Sequence, residues 1–292
     1  MKRVFSPISW LGGKSRMVNK LLPLLPPHRV YVEPFGGAAS LLLGKEPSPV
    51  EVYNDRDSGL VTFFRVLRNP DLVGSLIYRC STTPYSREEY SACLATWESC
   101  EDPVERAYRW FVTSRMSFGG IFGSSWGANV KASSRGMAQA ASSWISAVVR
   151  LAVVHQRMMR VQVDNQDFRQ LIPRYDTLET LFYLDPPYVP VTRRSGSYRH
   201  EMSLADHQEL VSILLELKGM ALLSGYDHPV YRPLERAGWD KRSWQTVCTA
   251  AGCTRHNGLK GRGQVSVKQK RTECVWISPR AQAARREAHD PA

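Results

Sequence analysis

Apolar positions along this chain gather into short buried runs separated by amphipathic stretches. Val30–Glu33 is one such run, and it breaks at Pro34 and Gly36-Gly37. That is the pattern of a buried strand entering a tight turn. Val50–Asn54 repeats it, with Asp55 at its end. Residues 38–43 and 59–67 have helical spacing, and Asn69-Pro70 stops the second helix. Strand-like runs return at 159–163, Thr180–Leu184, 220–223 and 274–277. Between two of them, Ser203 and Asp206 form a capping box ahead of an apolar stripe of Leu210, Ile213, Leu214 and Leu217. Strand and helix in alternation predict an α/β fold with a doubly wound parallel sheet.

The pattern changes from residue 71 to about 158. Helical spacing covers 85–97 and 104–111. Residues 114–136 then form a Gly- and Ser-rich loop carrying Phe118, Phe122 and Trp126. A loop of that length is rarely idle in a compact protein. The expected organisation is a sheet domain from 1–70 and 159–280, a helical insert over 71–158, and a disordered tail over 281–292. No internal repeat is present.

Composition narrows the class without choosing a function. Of 292 residues, 43% are hydrophobic and 23% charged, which excludes a disordered or collagen-like chain. No run of about 18 apolar residues suggests a membrane span. The start, Met1 to Pro7, has no apolar stretch after its charges, so no secretory signal and a cytoplasmic location are expected. Cys248, Cys253 and His256 are too loosely spaced, without a fourth ligand, to predict a metal site.

Charge changes the picture more. The net charge is +12. Residues 104–163 hold eight Lys and Arg and one acid, and residues 241–271 hold eight and none. Those two stretches exceed the net charge of the whole chain, so the remainder is slightly acidic. Localised positive charge points to a polyanionic partner, nucleic acid ahead of a membrane surface.

The sharpest chemical signal is Leu184-Asp185-Pro186-Pro187-Tyr188, directly after a strand. Two prolines fix a rigid turn at the carboxyl edge of the sheet, where α/β proteins place ligands. The turn offers a carboxylate, a backbone carbonyl and an aromatic face. Together these suit an exocyclic amine on a flat heterocycle. Glu33-Pro34-Phe35-Gly36-Gly37 lets a ligand approach the backbone at a helix start. Asp55, at the next strand end, is placed to hold a ribose or to cap a helix. Trp10-Leu11-Gly12-Gly13-Lys14-Ser15 is not a phosphate loop, because the required first glycine would fall at Ile8.

Trp10, Gly12-Gly13-Lys14, Glu33 to Gly37, Asp55, Asp167-Phe168 and Asp185 to Tyr188, in that order, resemble the Dam-type, D12-class DNA adenine methyltransferases. Arg271-Thr272-Glu273-Cys274 is similar to that family's closing strand. Leu223-Ser224-Gly225-Tyr226 resembles phage and prophage members. The likeness spans roughly residues 5 to 278. It implies a Rossmann-like, S-adenosylmethionine-dependent methyltransferase sheet with a target-recognition insert, acting without metal on double-stranded DNA.

Carried over by resemblance, Glu33, Phe35, Gly36 and Gly37 surround the methionine part of S-adenosylmethionine, and Asp55 holds its ribose. Asp167 and Phe168 meet its adenine. Trp10, Lys14 and Asp185 border cofactor and target. Asp185, Pro186, Pro187 and Tyr188 form the catalytic turn that receives a flipped adenine. The DNA contacts fall to Arg115, Phe118, Phe122, Trp126, Lys131 and Arg135 in the insert, and to Lys260 and Arg262 in the second basic stretch. Segment 114–120 departs from the asparagine-containing hairpin of GATC-specific members, which implies a relaxed or different target. The alternatives are transfer to cytosine N4 or to RNA adenine, or a silent DNA-binding module. The expected assembly is a monomer or weak dimer.

Overall fold

A computed structural model describes residues 3–10, 12–189, 199–247 and 270–289. Seven strands form one sheet in the order β5-β2-β1-β6-β7-β9-β8. They are β1 (Val30–Glu33), β2 (Val50–Asn54), β5 (Gln162–Asp164), β6 (Thr180–Leu184), β7 (Met220–Tyr226), β8 (Asp240–Val247) and β9 (Lys270–Ile277). The first five pair in parallel, and β9 runs antiparallel to both β7 and β8. This is the doubly wound α/β sheet read from the sequence, closed by an antiparallel pair. A two-stranded hairpin of β3 (Ser133–Ser134) and β4 (Met137–Ala138) stands apart.

The sheet's alternating side chains separate two cores. Tyr31, Tyr53, Leu181, Tyr183, Leu222 and Val275 face one side. Val32, Val52, Phe182, Leu184, Ala221, Leu223 and Trp276 face the other. All five residues of β6 are buried, as a central parallel strand requires.

The helices are α1 (Val18–Leu21), α2 (Ser40–Gly44), α3 (Ser58–Arg68), α4 (Pro70–Ser81), α5 (Arg87–Thr96), α6 (Pro103–Met116), α7 (Gln139–Met158), α8 (Phe168–Tyr175), α9 (Leu204–Leu215), α10 (Arg232–Arg236) and α11 (Pro279–His289). Asp57 caps α3 through the Gly59 and Leu60 amides at 2.9 and 3.0 Å. Asn69 closes α3 and caps α4, whose first residue is Pro70, so the break read there is also a beginning. The Ser203–Asp206 capping box is present on α9.

Helices α4 to α7 occupy the expected insert, but they do not form a separate core. Phe63 and Phe64 of α3, Trp110 and Phe111 of α6, and Trp144 and Leu151 of α7 join the cluster that holds Tyr31 and Tyr53 of the sheet. A buried charge network binds them further. Arg157 of α7 grips both carboxylate oxygens of Glu51 on β2 and donates to the Leu42 carbonyl at 2.8 Å. Lys45 completes the network at 2.6 Å from Glu51.

Four sequence expectations are corrected. The tail expected to be disordered from residue 281 is helix α11, with Ala281 fully buried against the sheet core. The strand expected at 159–163 starts later, at Gln162, because Met159 caps α7. Residues 114–116, assigned to the loop, are the last turn of α6. Strand β8 was not anticipated. It is a polar edge strand paired on one side only, so it lacks the apolar run that marks a buried strand.

Candidate active site

The site opens where the chain's strand order reverses. β1 leads outward to β2, while its other neighbour β6 leads to β7. Ligands in such sheets sit beyond the strands' carboxyl ends at that point. A cleft of about 940 Å³, open mouth included, lies there. Its lining includes Trp10, Lys14, Glu33, Phe35, Gly36, Gly37, Asp55, Phe168, Asp185 and Pro187.

The turn after β1 has little freedom of sequence. A Cβ on Gly36 would stand 2.3 Å from the Tyr53 ring, and one on Gly37 would stand 3.0 Å from Trp10 Nε1. Gly37 also has φ +47°, in the left-handed region. The Gly37 amide donates to Asp55 Oδ2 and the Asp57 amide to Asp55 Oδ1, both at 2.9 Å. Asn54 fastens the neighbouring loops, donating to the carbonyls of Pro34 at 2.8 Å and Gln166 at 3.0 Å. Burial raises Asp55 to about 6, against the pull of those amides. Burial also raises Glu33 to about 8, although the Tyr31 hydroxyl and the Leu42 amide donate to it at 2.8 Å. Phe35 and Phe168 stand 5.5 Å apart and line one wall.

The rigid turn after β6 brings four polar side chains together. Lys14 Nζ donates to both Asp185 oxygens, at 2.7 and 2.8 Å. It lies 3.8 Å from Glu273 and 4.8 Å from the centre of the Tyr188 ring. The Tyr188 hydroxyl donates to Glu273 Oε2 at 2.8 Å, and Tyr226 meets the same ring edge-on at 4.5 Å. Burial alone would lower the Lys14 pKa, but Asp185 and Glu273 outweigh it and hold it above its ordinary value. Burial pushes Asp185 and Glu273 upward, and the Lys14 ammonium limits the rise. Tyr188 is buried, with Lys14 over its ring, and neither it nor Pro186 lines the cleft. The stacking face expected of Tyr188 is therefore covered in this state.

Asp167 does not line the cleft either. It caps α8 through the Arg169 amide at 3.0 Å and pairs with Arg56 and Arg169 at 3.3 and 3.1 Å. Its neighbour Phe168 is the one that reaches the cleft. The opposite wall, Arg199, His200, Glu201 and Met202, carries no motif and was not legible in the sequence. Arg56, Asp57 and Asp206 were missed as well; Asp206 was read only as part of a cap. Glu273 lay in a recognised segment without an assigned role.

The candidate DNA contacts fall into three groups. Phe122 stacks on Trp110 at 5.5 Å, and Trp126 packs against Tyr85 at 5.4 Å, so both rings are engaged in packing. Arg115 bonds Ser9 Oγ at 2.8 Å and the Ser143 carbonyl at 3.0 Å, and burial brings it down to about 10. Arg135, with φ +53°, bonds Ser142 and Ser146 of α7. Phe118 is half-buried and Lys131 exposed. Lys260, Arg262, Cys248, Cys253 and His256 lie outside the described residues. Among the described residues, no cluster suits a metal ion and no helix is long and apolar enough to cross a membrane.

Comparison with known proteins agrees with this geometry. Residues 10–232 match the model of the D12 class N6 adenine-specific DNA methyltransferases. DNA adenine methylases of Salmonella typhi and Salmonella typhimurium strain LT2 are each 26% identical over 123 residues. That segment is 41% of this chain and 44% of each relative, so the match spans under half of their length. The matched region holds the glycine turn, Asp55, Lys14 and the Asp185 corner, and the chain belongs to the D12 class N6 adenine-specific DNA methyltransferase family.

Proposed function

We propose that this protein transfers a methyl group from S-adenosylmethionine to the exocyclic N6 amine of adenine in double-stranded DNA. One observation carries the reading. The Asp185 corner already binds a nitrogen donor against an aromatic ring: Lys14 Nζ, at 2.7 and 2.8 Å from the carboxylate and 4.8 Å from the centre of the Tyr188 ring. An adenine amine also offers N–H donors to that carboxylate, though without the charge of the ammonium, and takes that place when Lys14 withdraws.

The cleft fits the cofactor on its own terms. Gly36 and Gly37 leave a bare backbone cradle, Phe35 and Phe168 supply flat apolar walls, and Asp55 and Glu33 supply carboxyl groups. That donor set suits a cationic nucleoside. Gly36 and Gly37 would border its amino-acid part, Asp55 its ribose, and Phe35 and Phe168 its base. When bound, it supplies an already activated methyl group on a sulfonium.

The protein's own task is to prepare the amine. Adenine N6 is a weak nucleophile because its lone pair is delocalised into the ring. Accepting its two N–H groups at Asp185 Oδ and the Pro186 carbonyl localises that pair on nitrogen. Orienting the amine in line supplies the remaining advantage. Asp185, whose burial favours the protonated form, takes the proton that nitrogen sheds. Extracting the base from the duplex costs a few kcal/mol, which stacking on Tyr188 partly offsets.

The insert is the proposed DNA-reading region, with its exposed cations Lys131 and Arg150 toward the phosphates. The test is incubation with methyl-labelled S-adenosylmethionine and duplex DNA, followed by nucleoside analysis. N6-methyldeoxyadenosine is expected. Label in cytosine or no label overturns the reading.

A further inference from the structure

Three of the contacts on Tyr188 bear on how its ring is held. Lys14 covers its face, Tyr226 abuts its edge and Glu273 accepts from its hydroxyl at 2.8 Å. Lys14 is the one an incoming base displaces, so it cannot hold the ring during the reaction. Tyr226 meets it ring against ring. Glu273 differs from both. Its backbone is locked in the sheet on two sides, opposite Tyr226 of β7 and Trp244 of β8. Its side chain is largely shielded from water, at 14% exposure. A hydrogen bond to a shielded carboxylate is among the stronger neutral-donor contacts a protein makes.

The phenol has a second acceptor nearby. Asp185 shares Lys14 with Glu273 and is close enough to the phenol for Tyr188 to pull its pKa down. A hydroxyl has one proton to give. Given to Glu273, it leaves both Asp185 oxygens for the target amine. Given to Asp185, it competes with that amine.

We infer that Glu273 is a positioning residue for methyl transfer, holding the Tyr188 hydroxyl so that the ring stays in its stacking place and the Asp185 carboxylate stays open to the amine. This rests on the reading proposed above. Glu273 touches neither the base nor the reacting atoms. It acts through Tyr188.

A double-mutant cycle on the full-length protein tests it. Glu273→Ala should lower kcat by roughly ten- to a hundredfold, the range expected for losing a hydrogen bond to a charged group. Cofactor affinity, read by equilibrium binding, should change less than about twofold. Glu273→Gln keeps an acceptor and should recover most of kcat. Glu273→Ala in a Tyr188→Phe background should add little further loss, because the hydroxyl it serves is already gone. Additive losses, no recovery with Gln, or an equal fall in cofactor affinity overturn the inference while the methyltransferase reading stands. A wild type that methylates no DNA overturns both.

Discussion

The cleft and the insert use the same residue types to opposite ends. At the strand ends, Lys14, Glu33, Asp55 and Asp185 are lodged in tight local geometry and directed into one open volume. At the end of α6 and in the segment between α6 and α7, the arginines and aromatics that look equally chemical are largely spent on the fold. Arg115 ties Ser9 to Ser143, Arg135 braces the start of α7, and Phe122 and Trp126 sit in ring stacks. At the sheet's ligand-binding edge the carboxylates are also held by partners, Glu33 by the Tyr31 hydroxyl and Asp55 by two backbone amides, yet they still line an open cleft. Between α6 and α7 the neighbouring helices claim such residues for packing first.

The contrast can be broken most directly at the cleft. Asp185→Ala should reduce methyl transfer by about 10³-fold or more, since it removes the acceptor that localises the amine's lone pair. Equilibrium binding of S-adenosylmethionine should stay within a few-fold. Substantial residual turnover in a single-turnover assay would remove Asp185 from its role.

On the insert side the largest effect is on stability. Arg157→Ala leaves Glu51 and Lys45 buried with a broken network, and should lower unfolding free energy by about 3–5 kcal/mol in urea titration. A single cooperative transition is expected, because α7 shares its core with the sheet. A separate early transition for 70–158 would mean the insert is an independent domain after all.

A smaller effect comes from Asp55. Its carboxyl is raised from 3.8 to about 6, and in the proposed ribose-holding role it is the stronger acceptor when ionised. Cofactor affinity should therefore be near full by about pH 7 and fall as pH drops through 6. Asp55→Asn should bind more weakly and lose that dependence. The folded protein retains a proton here that the unfolded chain releases, so this group's contribution to stability falls as pH rises from 3.8 to 6. Isothermal titration across pH 5 to 8 reads the binding limb.

The smallest effect separates surface cations from structural ones. Replacing Lys131 and Arg150 with Ala should lower the salt slope of DNA binding by about two, one for each phosphate left without its cation. Arg115→Ala should instead lower the unfolding midpoint and leave that slope unchanged. A slope that moves with Arg115 and not with Lys131 would reverse the assignment.

What could be read in advance follows the same line. Val30–Glu33, Val50–Asn54 and Thr180–Leu184 match their strands because a buried parallel strand is a continuous apolar run with sharp ends. The carboxylates at those ends were found because position and chemistry coincide. Asp167 was placed in the cleft by resemblance, yet it faces Arg56 and Arg169, since a helix cap and two cations compete for it. The 199–202 wall and Glu273 depend on tertiary approach, and no local pattern encodes that. Helix α7 was missed because Ser142, Ser143 and Ser146 dilute its apolar face. Helix α11 was missed because its sequence is mostly polar and only Ala281 is buried deeply.

The grip of Arg157 on Glu51 bears on how target preference can be re-engineered in this scaffold. A graft that exchanged 70–158 as a cassette would import a foreign final turn of α7 and leave the buried Glu51 with Lys45 but without the arginine that grips both its oxygens. Chimeras should therefore be spliced before that turn, confining the exchange to the outer loop and hairpin and keeping the host's own arginine.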